Sequence, residues 1–140
     1  MFQPATDDDL SAIREHVLRF KLDGEHLAAD QLIVAREEGR LVAFGRVKPY
    51  GGGVFELGTV GVLESERGKG WGDRVVRELI RRFPAREVYI TTDLTAYFER
   101  FGFRKMEPEK VPAPLADKLK RICGTLRDGV VPMVLVKDQP

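Results

Sequence analysis

The stretch ESERGKGWGDR (residues 64–74) places Gly68, Gly70 and Gly72 within five positions, with Arg67 and Lys69 among them, directly ahead of an amphipathic run. Glycine is a poor helix former, so this density at a helix start needs a reason. A helix N-terminus leaves backbone N–H groups unpaired and carries partial positive charge, which makes it an anion site. Glycines there let a phosphate approach the backbone without meeting a Cβ, and Arg67 and Lys69 add charge. A pyrophosphate is the ligand best matched to several N–H donors converging in one tight turn. A plain solvated turn is the competing reading. The spacing is neither G-x-x-x-x-G-K-[ST] nor G-x-G-x-x-G, so two named phosphate loops are set aside. The preceding run ELGTVGVL carries Gly58 and Gly61 inside a strand, where glycine marks a bulge or a close backbone approach.

Other polar residues carry weaker signals. Arg46 and Lys48 share one strand face by period-two alternation and could hold a substrate carboxylate, with Tyr50 beside them; a solvated strand face is the alternative. Thr91 and Thr92 close a short apolar strand, as ligand contacts or as ordinary strand-end hydroxyls. Asp93 is placed to cap the helix that follows. Trp71 beside the glycines would cover a ligand or anchor its helix in the core. Cys123 reads as a small core residue. His16 and His26, with a single cysteine, offer no metal-ligand spacing, so no metal is expected.

These residues need a scaffold, and 140 residues with 43% hydrophobic and 32% charged side chains suffice for one domain, 1–140, with a real core. A net charge of +1 implies neither nucleic acid nor an anionic membrane as partner. One cysteine suits a reducing compartment, and neither a signal-peptide pattern nor a membrane-spanning run is visible, so the expected location is cytoplasmic. Thr6 followed by three aspartates starts a helix over 7–20. A short helical piece is expected at 25–29. QLIVAREEGRLVAFGRVKPY reads as a hairpin around Glu38-Gly39, and GGGVF turns into a strand over 54–63. Residues 71–83 form a helix ended by Pro84, EVYITT a buried strand, and 94–101 a helix stopped by Gly102. FRKM, a helix over 115–126 and VVPMVLVK complete the order. This predicts an α/β fold: a mixed, mostly antiparallel sheet of about seven strands with helices on both faces.

RGKGWG fits the R/Q-x-x-G-x-G/A signature of the GNAT N-acetyltransferase superfamily, and AYFERFGF (96–103) resembles the helix-to-strand segment that follows it, A-x-x-F-Y-E-K-x-G-F. ELGTVGVLESERG is similar to E-L-A-C-x-A-V-x-P-x-Y-R-G of the N-acetylglutamate synthase catalytic domain and its short stand-alone relatives. ITTDLTAYFERFGF, VKPY and the tail VPAPLADKLKRIC…VPMVLVK resemble segments of the same group. Glu64 stands where that pattern has proline.

The resemblance implies acetyl-CoA as cofactor. Backbone amides of Arg67, Gly68, Lys69, Gly70, Trp71 and Gly72 would hold its pyrophosphate, and Val60, Gly61, Val62 and Leu63 would pair with the pantetheine arm. It implies Glu56 as general base for a small-molecule amine, the acceptor being an amino acid such as glutamate; a solvated edge-strand carboxylate is the alternative for Glu56. Arg46, Lys48, Tyr50, Thr91 and Thr92 are, from their strand positions, the candidate acceptor contacts. The general acid of many members is a tyrosine where this chain has Phe98. Tyr97 lies one residue earlier, turned by about 100° on a helix, so it does not simply inherit the role; it is a candidate acid or a packing tyrosine. The thiolate can instead take its proton from water or the ammonium product. Transfer to protein or polyamine amines, a non-catalytic acyl-CoA-binding module, and a homodimer stay open.

Overall fold

The computed structural model describes residues 2–122 and 129–138. The elements are β1 (Phe2–Pro4), α1 (Asp7–Arg19), β2 (Leu32–Glu37), β3 (Arg40–Gly51), β4 (Val54–Val62), α2 (Trp71–Arg82), β5 (Glu87–Thr92), α3 (Thr95–Glu99), β6 (Arg104–Lys105), α4 (Ala113–Ile122) and β7 (Val131–Val136). The strands follow the order β1-β2-β3-β4-β5-β7-β6 in one seven-stranded sheet. The β1–β2, β2–β3, β5–β7 and β6–β7 pairs are antiparallel, while β4 and β5 are parallel, with Glu56 opposite Tyr89. The mixed, mostly antiparallel sheet expected from the sequence is therefore present. The chain packs as two units: one contains the chain up to Lys48 with Gly58–Arg82, the other Pro49–Leu57 with the chain from Phe83 onward.

In the first unit, α1 starts as its sequence requires. The Thr6 hydroxyl accepts the Asp9 N–H (3.1 Å) and the Asp9 carboxylate accepts the Thr6 N–H (2.9 Å), a complete capping box. Asp9 also receives Arg36 from β2 at 2.5 Å, which ties the helix start to the strand. Ile13 and Val17 on α1 join Leu32, Val34 and Phe44 in one buried cluster. Each such side chain contributes about 1.5–3 kcal/mol on burial. Two strand glycines are explained by packing: a Cβ on Gly45 would stand 2.7 Å from Leu79 Cδ1 of α2, and one on Gly61 would stand 2.3 Å from the Phe44 ring. The close approach inferred at Gly61 is thus made by Phe44.

The short helix expected at 25–29 is absent; a single 3-10 turn occupies Ala29–Gln31. His26 has φ of 52°, outside the helical range. The Asp23 side chain accepts the Glu25 N–H (2.9 Å), and Arg46 takes the carbonyls of Asp23 and Glu25, which a helix would have used internally.

The second unit is built on the six-residue register of β5 with β7; Val88, Ile90, Met133, Phe83, Phe98, Phe103 and Leu115 are among its buried apolar side chains. Phe55 meets Phe83 edge-on at 6.2 Å. The last helix is described through Ile122; its expected extension to 126 and the core role of Cys123 lie outside the described residues.

Burial pushes the Asp9 carboxyl up, but hydrogen bonds from Thr6 and Arg36 outweigh it and hold the group below its ordinary range. A depressed carboxyl stabilises the fold above its unfolded pKa of about 3.9 and loses that contribution as pH falls through the folded value. Asp9→Asn should therefore lower stability by about 1–2 kcal/mol at pH 7. Urea midpoints of variant and parent should converge near pH 2.

Candidate functional site

Within the first unit, the glycine-rich turn has the geometry its composition demands. Gly68 and Gly70 adopt φ of 82° and 84°, the left-handed region, and the positions of their absent Cβ atoms face open space. The Gly70 carbonyl accepts the Arg74 N–H (3.2 Å), so α2 begins immediately after it and its first N–H groups have no intrahelical partner. Trp71 is buried as the anchor of this helix, Arg74 lies 3.8 Å over its ring, and its indole N–H is buried without a partner. These features fit a pyrophosphate held by Gly68, Lys69, Gly70, Trp71 and Gly72. The two basic side chains are engaged locally. Arg67 donates to the Val62 carbonyl (3.1 Å) and stacks over Phe20, and Lys69 pairs with the buried Glu66 (3.1 Å). Val60, Val62 and Leu63 are half-buried, and Gly61 is buried under Phe44.

Arg46 and Lys48 do share one face of β3, but both are buried. Arg46 Nε donates to Thr59 Oγ1 (2.8 Å), Nη1 to the Gln31 side chain (2.7 Å) and the Glu25 carbonyl (3.0 Å), and Nη2 to the Asp23 carbonyl (3.0 Å) while pairing with the Asp23 carboxylate (3.4 Å). The guanidinium is engaged within its own unit, where it holds the 23–31 loop against β3. Lys48 likewise reaches Asp23 and Glu25, each at 3.1 Å. Thr59, between Gly58 and Val60 on β4, has φ of 51°, a strained conformation for a β-branched residue that costs on the order of 1–3 kcal/mol. Its hydroxyl accepts from Arg46 and donates to the Asp23 carbonyl (2.9 Å), which pins the irregular residue.

The second unit holds the other cluster. Glu56, on β4 and 2% exposed, is surrounded by donors. Tyr50, at the end of β3, donates to Oε1 (2.7 Å) and Thr91, on β5, to Oε2 (2.5 Å). Lys118, on α4 and also 2% exposed, reaches Oε1 at 2.9 Å, Oε2 at 2.7 Å and Thr91 Oγ1 at 2.9 Å. Thus Tyr50 and Thr91, expected near the acceptor, stand on the expected base. Lys118 is the residue that sequence reasoning missed. It lies three residues after the fully buried Leu115, on the same helical face, and that inward periodicity was the available signal.

Tyr97 packs edge-on against Phe98 and Phe101, with Arg100 over its ring, and supplies none of the hydrogen bonds to Glu56. Thr92 is buried, and its hydroxyl accepts the Leu94 N–H (2.9 Å), a local turn rather than a ligand contact. That bond takes the place of the cap expected from Asp93: Leu94 is the N-cap of α3, without a side-chain cap. An apolar cavity of about 350 Å³ in the same unit, lined by residues such as Met106, Val111, Leu119 and Pro132, includes none of the expected site residues.

The profile of the acetyltransferase (GNAT) family matches residues 3–103. Glucosamine 6-phosphate N-acetyltransferase 1 of Oryza sativa subsp. japonica is 34% identical over 91 residues, covering 55% of this chain and 55% of that protein, so the chain spans about half of that relative. Among solved structures, Rv2747 from Mycobacterium tuberculosis, in complex with CoA and NLQ, superposes with a TM-score of 0.78 at 24% identity, over 97% of this chain and 98% of that one. N-acetylglutamate synthase from Neisseria gonorrhoeae, complexed with coenzyme A and N-acetyl-glutamate, gives 0.81 at 12% identity, over 99% of this chain and 35% of that one. At these identities the two superpositions establish the fold.

Arg46→Met should leave Asp23, half-buried, with Lys48 as its remaining cation and strip the 23–31 loop of its hydrogen bonds, lowering stability by about 3 kcal/mol without any ligand present. Thermal unfolding of the apo protein measures this. A variant of parental stability whose only defect is a raised acceptor KM would return Arg46 to acceptor binding.

Proposed function

Because this chain belongs to the acetyltransferase (GNAT) family, we propose that it is an acetyl-CoA-dependent N-acetyltransferase whose acceptor is the amine of a small amino acid such as glutamate, with Glu56 as the base. The observation that carries this reading is the buried Glu56 carboxylate, ringed by Tyr50, Thr91 and Lys118. The acceptor class is supported by the likeness to N-acetylglutamate synthase in complex with N-acetyl-glutamate. The 34% identity to an enzyme named for glucosamine 6-phosphate favours an amino-sugar acceptor as the second reading.

An alkyl amine is mostly protonated at neutral pH and must lose a proton before it can attack. Bound acetyl-CoA supplies the acetyl group as an activated thioester. Gly68, Lys69, Gly70, Trp71 and Gly72 would hold its pyrophosphate, as the open left-handed glycines ahead of the α2 N-terminus suit. The two oxygens of Glu56 already accept four contacts, about the capacity of a carboxylate. A proton therefore reaches it most directly through a hydroxyl. The ammonium N–H proton passes to the oxygen of Thr91 or Tyr50 as that hydroxyl gives its own proton to Glu56. The amine is left with its lone pair, Glu56 becomes a neutral acid, and the hydroxyl is regenerated. The acceptor's carboxylate is not assigned to Arg46, whose donors are committed elsewhere.

Release of free thiol from acetyl-CoA, followed across glutamate, other amino acids, glucosamine 6-phosphate, a polyamine and a peptide N-terminus, tests the acceptor. Amino acids should turn over best. Turnover confined to the peptide or the polyamine, or none with any amine despite CoA binding, would contradict the reading. In Glu56→Gln, kcat should fall by about 100-fold or more, with the KM for acetyl-CoA little changed.

A further inference from the structure

We propose that Lys118 is a positioning residue for the acetyl transfer, acting through Glu56 and Thr91; this rests on the reading of Glu56 as the base. Lys118 sits where the α4 pattern calls for an apolar residue, with Leu115 fully buried one turn earlier, while Lys120 two positions on is exposed. Its ammonium has three N–H groups and meets three acceptors within 2.9 Å: both oxygens of Glu56 and the Thr91 hydroxyl. Two consequences follow from donor and acceptor counting. Gripping both oxygens fixes the plane of the carboxylate. Donating to the Thr91 oxygen keeps the Thr91 proton off the ammonium side, and the 2.5 Å contact directs it to Glu56, as the proton relay needs.

Stability alone does not account for the pair. Exchanging a buried ion pair for well-packed apolar side chains is often neutral or stabilising, because desolvation of both charges offsets their attraction. A lysine kept at a fully buried position, against the helical pattern, therefore points to the carboxylate it orients. Within one sequence, 62 residues separate the two partners, so nothing local to α4 calls for the charge.

The test uses the full chain with three variants: Lys118→Met, Glu56→Gln and the double variant, each assayed for kcat and for KM toward acetyl-CoA and the acceptor. The expected result is a kcat about 10- to 100-fold below the parent in Lys118→Met, an unchanged KM for acetyl-CoA, and no further loss in the double variant beyond Glu56→Gln. Parental kcat in Lys118→Met beside a slow Glu56→Gln would overturn the inference while leaving Glu56 as base. A double variant tenfold or more slower than Glu56→Gln would also overturn it, because Lys118 would then act on something other than Glu56. Parental kcat in Glu56→Gln would overturn the reading of the base itself, and this inference with it. Should Lys118→Met lose its fold, Lys118→Arg takes its place. A guanidinium keeps the charge but cannot set one nitrogen on all three acceptors, so a reduced kcat is again expected and a parental kcat again overturns the proposal.

Discussion

A carboxylate buried to 2% exposure cannot stay charged without compensation, and the second unit is arranged around that requirement. Glu56 is met from β3 by Tyr50, from β5 by Thr91 and from α4 by Lys118. Each donor lies on a different element, so the carboxylate is satisfied only when all of those elements are in place. This couples the fold of the unit to the protonation chemistry proposed for it. The strand that carries Glu56 also carries Val60, Gly61 and Val62, part of the stretch expected to meet the pantetheine arm.

The first unit answers a different constraint. Arg46 and Lys48 are two buried cations balanced by Asp23 and Glu25, and Arg46 also reaches the left-handed Thr59 through its hydroxyl. A strained conformation persists only when its surroundings over-determine it, and here a guanidinium and a backbone carbonyl both hold one hydroxyl. These charges tie the 23–31 loop and the strand irregularity at Thr59 together. The glycine-rich turn is the complementary case, with open space at the left-handed Gly68 and Gly70 directly ahead of α2.

Much of this was legible because the signals are local. The capping box needs only Thr6 and Asp9, three residues apart, and the turn at Glu38-Gly39 needs only its own backbone. The positive φ values at Gly68 and Gly70 follow from residue type and position. What stayed hidden depends on distant partners. Arg46 could not be told from a substrate ligand because its acceptors come from residues 15 to 23 positions earlier and from Thr59, 13 positions later. Lys118 looked like one more lysine of a charged helix, since Glu56 lies far away in the chain. Gly61 illustrates the reverse: its glycine was noticed, but the ring that explains it, Phe44, belongs to another strand.

In the proposed reaction an acceptor amine gives up its proton to the Glu56 cluster. A crystal structure of the full chain with CoA and glutamate measures this most directly. The account predicts the amine nitrogen within about 3.2 Å of the Thr91 or Tyr50 hydroxyl, or one water away from it. An amine bound beyond the reach of either hydroxyl and of Glu56 would contradict it.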